Sequence, residues 1–245
     1  MSKDEEKGLS ILPVKGIGEV RPGTSLAMVI VEALRSAGDE TKQVMTGDIL
    51  VVTQKVVSKA EGRIVQLESE DPDAKRRIVE RESVRVLRRR GDLLITETAH
   101  GFICANAGVD LSNMSEGTAA LLPIDPDRSA RRIRAAIRRS TGNDVGVIIS
   151  DTFGRAWRHG VTDVAIGCAG IAPLLDLRGS VDALGRLLES TEICVADEIA
   201  SAAELVMGKH RGIPAAIVRG VDPDWFRDGS ISEEIVRPYR SDLFR

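Results

Sequence analysis

Two aliphatic runs limit what this chain can fold into more than any other feature: "ILVVT", Ile49 to Thr53, and "VGVIIS", Val145 to Ser150. Short uncharged runs of this kind, rich in β-branched residues, read as strands buried inside a sheet. Each breaks off into polar groups. The first enters "QKVVSKAEGR", read as a polar turn carrying lysine, and the second enters "DTFGRAWRHG", which gathers an acid, a hydroxyl, an aromatic, three bases and two glycines. A buried strand that ends in such side chains can deliver them to a cleft at the edge of the sheet.

The rest of the chain alternates helix and strand signals. "LSILPVKGIGEVRPG" reads as a short strand broken by Pro13 and then a glycine-punctuated loop. A helix is predicted from Ser25 to Ala37, where Leu26, Val29, Ile30, Ala33 and Leu34 recur at helical spacing behind a serine cap. A second is predicted from Pro72 to Arg90, its acids near the start and arginines at the end, as the helix dipole favours. "DLLITETAHGFICANAGVDLSN" reads as two strands joined around Ala99 to Gly101 and closing in a loop that holds Asp110 and Asn113. A helix from Ser129 to Ser140 stops at Gly142. Further on, "EICVADEIASAAELVMGKHRGIP" suggests a strand feeding a helix that ends near Gly208, and Ala215 to Arg219 a final strand. No repeat or linker divides the chain, so residues 9–245 are expected to form one α+β (mixed α/β) domain with a substantial sheet. Residues 1–8 are expected to be a disordered leader.

Composition narrows the function. Only 3% of residues are aromatic and the net charge is −3, which argues against stacking platforms and basic surfaces for nucleic acid. The charged start, "MSKDEEKG", lacks the apolar core of a signal peptide, and no later stretch approaches a membrane span. A cytoplasmic protein is expected. Cys104, Cys168 and Cys194 stand singly in apolar stretches, without metal-ligand or disulfide spacing, and read as reduced core thiols.

Asp110 and Asp151 each follow an apolar run, and Thr152 stands beside the second. Their oxygens are hard ligands suited to magnesium or manganese; taken alone, Asp151 could equally cap the following turn. Arg155, Arg158 and His159 add positive charge where phosphate or carboxylate could be held near a metal, against the plainer reading of a solvated loop. Lys55 and Lys59 could act as point charges for phosphate, and the backbone around Gly16 and Gly18 could approach an anion. Neither GxxxxGK[ST] nor a complete GxGxxG is present, so a bound nucleotide would use neither familiar glycine loop.

The ordered blocks "LPVKGIGEVRPG", "GDILVVTQKVVSKAEGR", "NAGVDLSN", "LLPIDPDRSA", "GVIISDTFGRAWRHGVTDVAIG" and "VADEIASAAELVMGK" closely resemble the coenzyme F420-0:L-glutamate ligase family, also called F420:γ-glutamyl ligase. The resemblance implies a non-P-loop, non-Rossmann, two-lobed fold forming an intertwined homodimer. It implies a GTP-dependent ligase that joins L-glutamate to coenzyme F420-0 and extends the product with γ-linked glutamates, in the coenzyme F420 biosynthesis route. It places metal ligands, for Mg2+ or Mn2+, at Asp110, Asp151 and Thr152. It places GTP contacts at Ile17, Gly18, Glu19 and Val20, at Gln54 and Lys59, at Asn113, and at Gly208, Lys209, His210, Arg211 and Gly212. A need for K+ is left open. Arg155 and Arg158 are candidates for holding the acidic substrates. "DALGRLL", Asp182 to Leu188, departs from the family pattern, and Gln54 stands where a small hydroxyl residue is more usual. The chain ends without the fused reductase-like domain of some relatives, so no flavin is expected. The alternatives are a ligase of this fold acting on another acidic acceptor, and a non-catalytic nucleotide sensor.

Overall fold

The computed structural model describes residues 8–38, 43–67, 71 and 73–243. The expected leader falls almost wholly outside them. In chain order, β1 (Ser10–Pro13) precedes α1 (Leu26–Ser36), β2 (Ile49–Thr53), α2 (Gln54–Ala60) and β3 (Ile64–Gln66). Next come α3 (Ala74–Arg81), β4 (Ser83–Arg90), β5 (Leu93–Thr98), β6 (Ile103–Ala105) and β7 (Thr118–Ala120). Then follow α4 (Pro126–Thr141), β8 (Gly146–Gly154), β9 (Val161–Ala169), β10 (Leu175–Asp176) and β11 (Glu192–Ile193). The chain closes with α5 (Val195–Met207), β12 (Ala215–Arg219) and α6 (Ile231–Glu234).

The principal sheet has the order β1-β12-β2-β8-β9, with β2 and β8 parallel and the other neighbours antiparallel. The two aliphatic runs are thus adjacent strands, Ile49 opposite Gly146 and Thr53 opposite Ser150. Successive residues from Ile49 to Val52 and from Gly146 to Ser150 are buried. Such continuous burial requires cover on both faces. Helix α4 packs on β8 and β9 with α1 against it, and α5 packs on β9, β12 and β1. Pro13, which has no N–H to donate, ends a strand at the edge of the sheet.

The cover is close. A Cβ at Gly167 would lie 2.4 Å from the Pro126 carbonyl carbon, so only glycine lets the start of α4 sit directly on β9. The far end of α4 stops at Gly142, which adopts the left-handed conformation at φ 77°, as expected. Smaller sheets, β4-β5-β6 and β3-β7, stand beside the main one. A separate apolar cluster of Ile78, Val79, Leu94, Ala107, Val109, Ala119 and Leu121 underlies them. This is a mixed α+β architecture.

Three local expectations are corrected. The lysine-bearing turn after Thr53 is a helix, α2. The helix expected from Pro72 to Arg90 stops at Arg81, and Ser83–Arg90 is a strand; Pro72 itself lies outside the described residues. Charge placement suggested one long helix, but Val84 and Val86 favour the extended chain, and Arg85 reaches across to Glu97 at 2.9 Å. Ser25 does occupy the N-cap of α1, yet its side chain makes no capping bond; its carbonyl accepts from Met28 and Val29 instead. The three thiols are free, and burial pushes each up to about 12. No helix among the described residues is long and apolar enough to cross a membrane.

Candidate active site

Because β2 and β8 run parallel, their C-terminal ends open on the same edge of the sheet. A cleft of about 290 Å³ lies there, lined by Thr53 at the end of β2, Lys55 in the first turn of α2, and Asp151 and Thr152 on β8. Three loops complete it: Ile17 to Val20, Asp110 to Asn113, and the turn from Gly208 to Pro214 after α5. A larger open cavity of about 1210 Å³ lies elsewhere, beside α4, where arginines 131, 134 and 138 mix with Asp228, Glu233 and Glu234. It gathers neither the paired acids nor the lysines of the smaller cleft.

Asp151 and Thr152 lie on the strand itself, which runs on to Gly154 and pairs with β9 throughout. They do not sit where the strand gives way to a loop, as the sequence suggested. Opposite the step from Ile149 to Ser150, Ile166 of β9 bulges out and shifts the pairing by one residue, setting Thr152 opposite Asp163. Since side chains alternate along a strand, that slip decides which groups meet. Asp163, only 3% exposed, accepts from the Thr152 hydroxyl at 2.5 Å and from the Ser150 hydroxyl at 2.9 Å.

The cleft is electrostatically divided. Asp110 is held by Lys55 Nζ at 2.8 Å and by the backbone N–H and hydroxyl of Ser112. Burial works to raise its pKa, but these partners together hold it below the ordinary carboxylate range. Asp151 has no such cation bound to it. Burial, reinforced by the nearby charges of Asp110 and Asp163, pushes its carboxyl up to about 7. Glu204 of α5 also lines the cleft and is raised by burial and by Asp163. Lys209 partly offsets both Asp151 and Glu204.

An excess of hard oxygen donors around a carboxylate that Lys209 compensates only in part is the donor chemistry that suits magnesium or manganese. Among the described residues no three His, Cys, Asp or Glu side chains form a ready-made metal cage. Asp110, Asp151 and Thr152 are the residues that would hold the cation.

Most of the residues expected at a nucleotide site converge here. Ile17, Gly18, Glu19, Val20, Gln54, Lys59, Asn113, Gly208, Lys209 and Gly212 line the cleft together with Asp110, Asp151 and Thr152. Asn113, in a left-handed conformation at φ 52°, donates through Nδ2 to the Lys209 carbonyl at 3.2 Å and so ties two walls together. Gln54 is buried, and its amide nitrogen is committed to Ser58 and to the Leu121 carbonyl. His210 and Arg211 are exposed and do not line the cleft. Nor do Arg155 and Arg158, which sit in the exposed hairpin tip between β8 and β9; Arg155 donates to the His159 carbonyl at 2.8 Å.

Sequence reasoning passed over Asp163 and Glu204. The signal for Asp163 was a lone acid inside the otherwise strand-like "VTDVAIG". For Glu204 it was the polar stripe Asp197, Ser201 and Glu204, at helical spacing along a helix whose one other charged residue is Glu198.

The profile of the family described as F420-0:Gamma-glutamyl ligase matches residues 16–220. The chain belongs to this family. The matched span takes in every residue lining the cleft, from Ile17 to Pro214. Among similar proteins of this F420-0:γ-glutamyl ligase family, the coenzyme F420:L-glutamate ligase of Methanothermobacter thermautotrophicus is 41% identical, over 97% of this chain and 99% of its own length. That of Methanopyrus kandleri is 43% identical, over 97% and 98%. That of Archaeoglobus fulgidus is 40% identical, over 97% and 96%.

Proposed function

We propose that this chain joins L-glutamate to coenzyme F420-0 with GTP as co-substrate, and extends the product through γ-linked glutamates. The observation that carries this reading is one cleft holding Asp110, Asp151 and Thr152 beside Lys55, Lys59 and Lys209. Acids for a metal and amines for phosphates belong together where a triphosphate reacts. The names borne by the near full-length relatives supply coenzyme F420 and L-glutamate, and the family description supplies F420-0 as the acceptor.

A carboxylate resists attack by an amine because it would have to expel an oxide. In the proposed route, an oxygen of the acceptor carboxylate attacks the γ-phosphorus and GDP leaves. The deprotonated amine of glutamate then attacks the acyl carbon, the C–N bond forms, and inorganic phosphate departs with the former carboxylate oxygen. Lys59 and Lys209 steady the phosphates, and Asn113 holds the loop carrying Lys209 in place. A bound Mg2+ or Mn2+ would supply neutralisation of the triphosphate charge. Arg158, at the hairpin tip with Arg155, is assigned to capture of the acidic acceptor or glutamate. Residues 9–245 act as one ligase domain in the cytoplasm and assemble as the two-lobed, intertwined homodimer implied by the family. No flavin takes part, and whether K+ assists belongs to the same assays.

The test is coupling. Sustained release of GDP should require F420-0 and glutamate together with GTP and manganese, while F420-0 alone should support at most one GDP per site. Release independent of both would indicate a simple nucleotidase, and no release at all would favour a sensor.

A further inference from the structure

We propose that Asp163 is a positioning residue that prepares Thr152 to bind the divalent cation. This rests on the cleft being the metal and triphosphate site of a ligase.

A hydroxyl has one proton and two lone pairs, so it can serve a cation only if its proton is directed elsewhere. The Thr152 proton goes to Asp163 at 2.5 Å, which leaves its lone pairs for the cleft. The other carboxylate oxygen of Asp163 takes the Ser150 proton at 2.9 Å. Asp163 thereby grips two residues of one strand face, Ser150 and Thr152, on either side of Asp151. Partners of metal ligands work in this way, fixing the orientation of a group they do not replace.

The surroundings hold Asp163 in turn. The bulge at Ile166 of β9 brings it opposite Thr152. From the neighbouring helix, Ser201 donates to the Asp163 carbonyl at 2.7 Å and shares a hydrogen bond with Thr162 at 2.9 Å. One turn earlier, Asp197 accepts from the Ala165 N–H at 2.8 Å. Two links from α5 therefore pin the part of β9 that carries Asp163. With its oxygens committed to Ser150 and Thr152 and almost no exposure, Asp163 acts through Thr152 rather than as a ligand itself.

The experiment is a double-mutant cycle on Mn2+ binding by the full chain without nucleotide, read from the spin-resonance signal of free Mn2+, with folding checked by circular dichroism. Asp163→Ala should weaken binding by about 10- to 100-fold, the usual effect of losing such a partner. Thr152→Val should weaken it too. Adding Asp163→Ala to Thr152→Val should then change affinity less than about twofold, because nothing remains to be oriented. If Asp163→Ala does not fold, Asp163→Asn replaces it and the same loss of effect on the Thr152→Val background is expected. An Asp163 substitution that leaves affinity unchanged overturns the proposal. So does one that weakens binding equally with and without the Thr152 hydroxyl, which would mark Asp163 as a direct ligand or a distant charge. Failure of the unaltered protein to bind Mn2+ would instead overturn the metal-site reading, and this inference with it.

Discussion

Lys55 Nζ lies 2.8 Å from Asp110 Oδ2 and also reaches the Ser112 carbonyl and hydroxyl. In the free protein Lys55 thus occupies the negative charge that a divalent cation would share. Binding of metal and triphosphate should redirect the ammonium from the carboxylate to a phosphate.

Lys55→Ala should therefore have opposite effects on the two ligands. Mn2+ alone should bind several-fold more tightly, since Asp110 is released, while the Michaelis constant for GTP should rise by about tenfold, the equivalent of one charge-assisted contact of roughly 1.4 kcal/mol. Calorimetry for the metal and initial rates for the nucleotide would check this. Weakening of both ligands would show that Lys55 only supports the local fold.

Asp151 yields a pH prediction whose sign can be worked out. Its folded pKa of about 7 lies above its ordinary 3.8, so the folded state binds the extra proton between those values. Stability of the metal-free protein should consequently fall as pH rises from about 4 through 7 and level off beyond, by this group's contribution. Asp151→Asn should raise metal-free stability at pH 8 by about 1–2 kcal/mol, allowing for solvent screening, and abolish stabilisation by Mn2+. Thermal melts at pH 5 and pH 8, with and without Mn2+, would show it. A variant less stable at pH 8 would contradict the sign.

A structural pair far from the cleft predicts a loss of stability. Arg219 at the end of β12 forms a two-pronged ion pair with Asp48, at 2.7 and 2.8 Å, and Asp48 is only 2% exposed. Removing Arg219 leaves the buried Asp48 with the Met45 N–H but without its ion-pair partner, at a cost of up to about 3 kcal/mol, the low end for a buried pair because Arg219 is partly exposed. Arg219→Ala should lower the denaturant midpoint accordingly. A midpoint within error of the unaltered protein would sink the assignment.

The sheet was legible because its central strands are continuous aliphatic runs, and Ile49–Thr53 and Ala215–Arg219 appear with the expected ends. The first glycine loop, Asp110, Asn113, Asp151 and Thr152 were legible as types of chemistry placed after such runs or in matching family blocks. What stayed hidden depends on register. Asp163 meets Thr152 only because of a one-residue bulge, and local propensity does not encode that slip. Likewise, Ser83–Arg90 becomes a strand through pairing with β5, a long-range partner that a charge pattern cannot reveal. The contact of Lys55 with Asp110 and Ser112 was hidden too, because spacing cannot show that a loop 57 residues away returns to its ammonium.

The hairpin tip offers a separate test of substrate capture. Arg155 is engaged with the His159 carbonyl, which leaves Arg158, exposed at the same tip, as the cation to test for an acidic substrate. Arg158→Ala should raise the Michaelis constant for F420-0 or glutamate by about tenfold and leave that for GTP unchanged, as expected when one charge-assisted contact is lost. Unaltered constants for both acidic substrates would remove Arg158 from the mechanism.

The most direct measurement follows the acceptor's own oxygen. F420-0 labelled with oxygen-18 in its carboxylate is incubated with the protein, glutamate, GTP and manganese, and product and phosphate are weighed by mass spectrometry. Ligation through an acyl phosphate predicts a product heavier by one or more glutamyl residues and one labelled oxygen in each phosphate released by the first addition. Unlabelled phosphate, or an acceptor that gains no glutamate while GTP is consumed, would contradict the account.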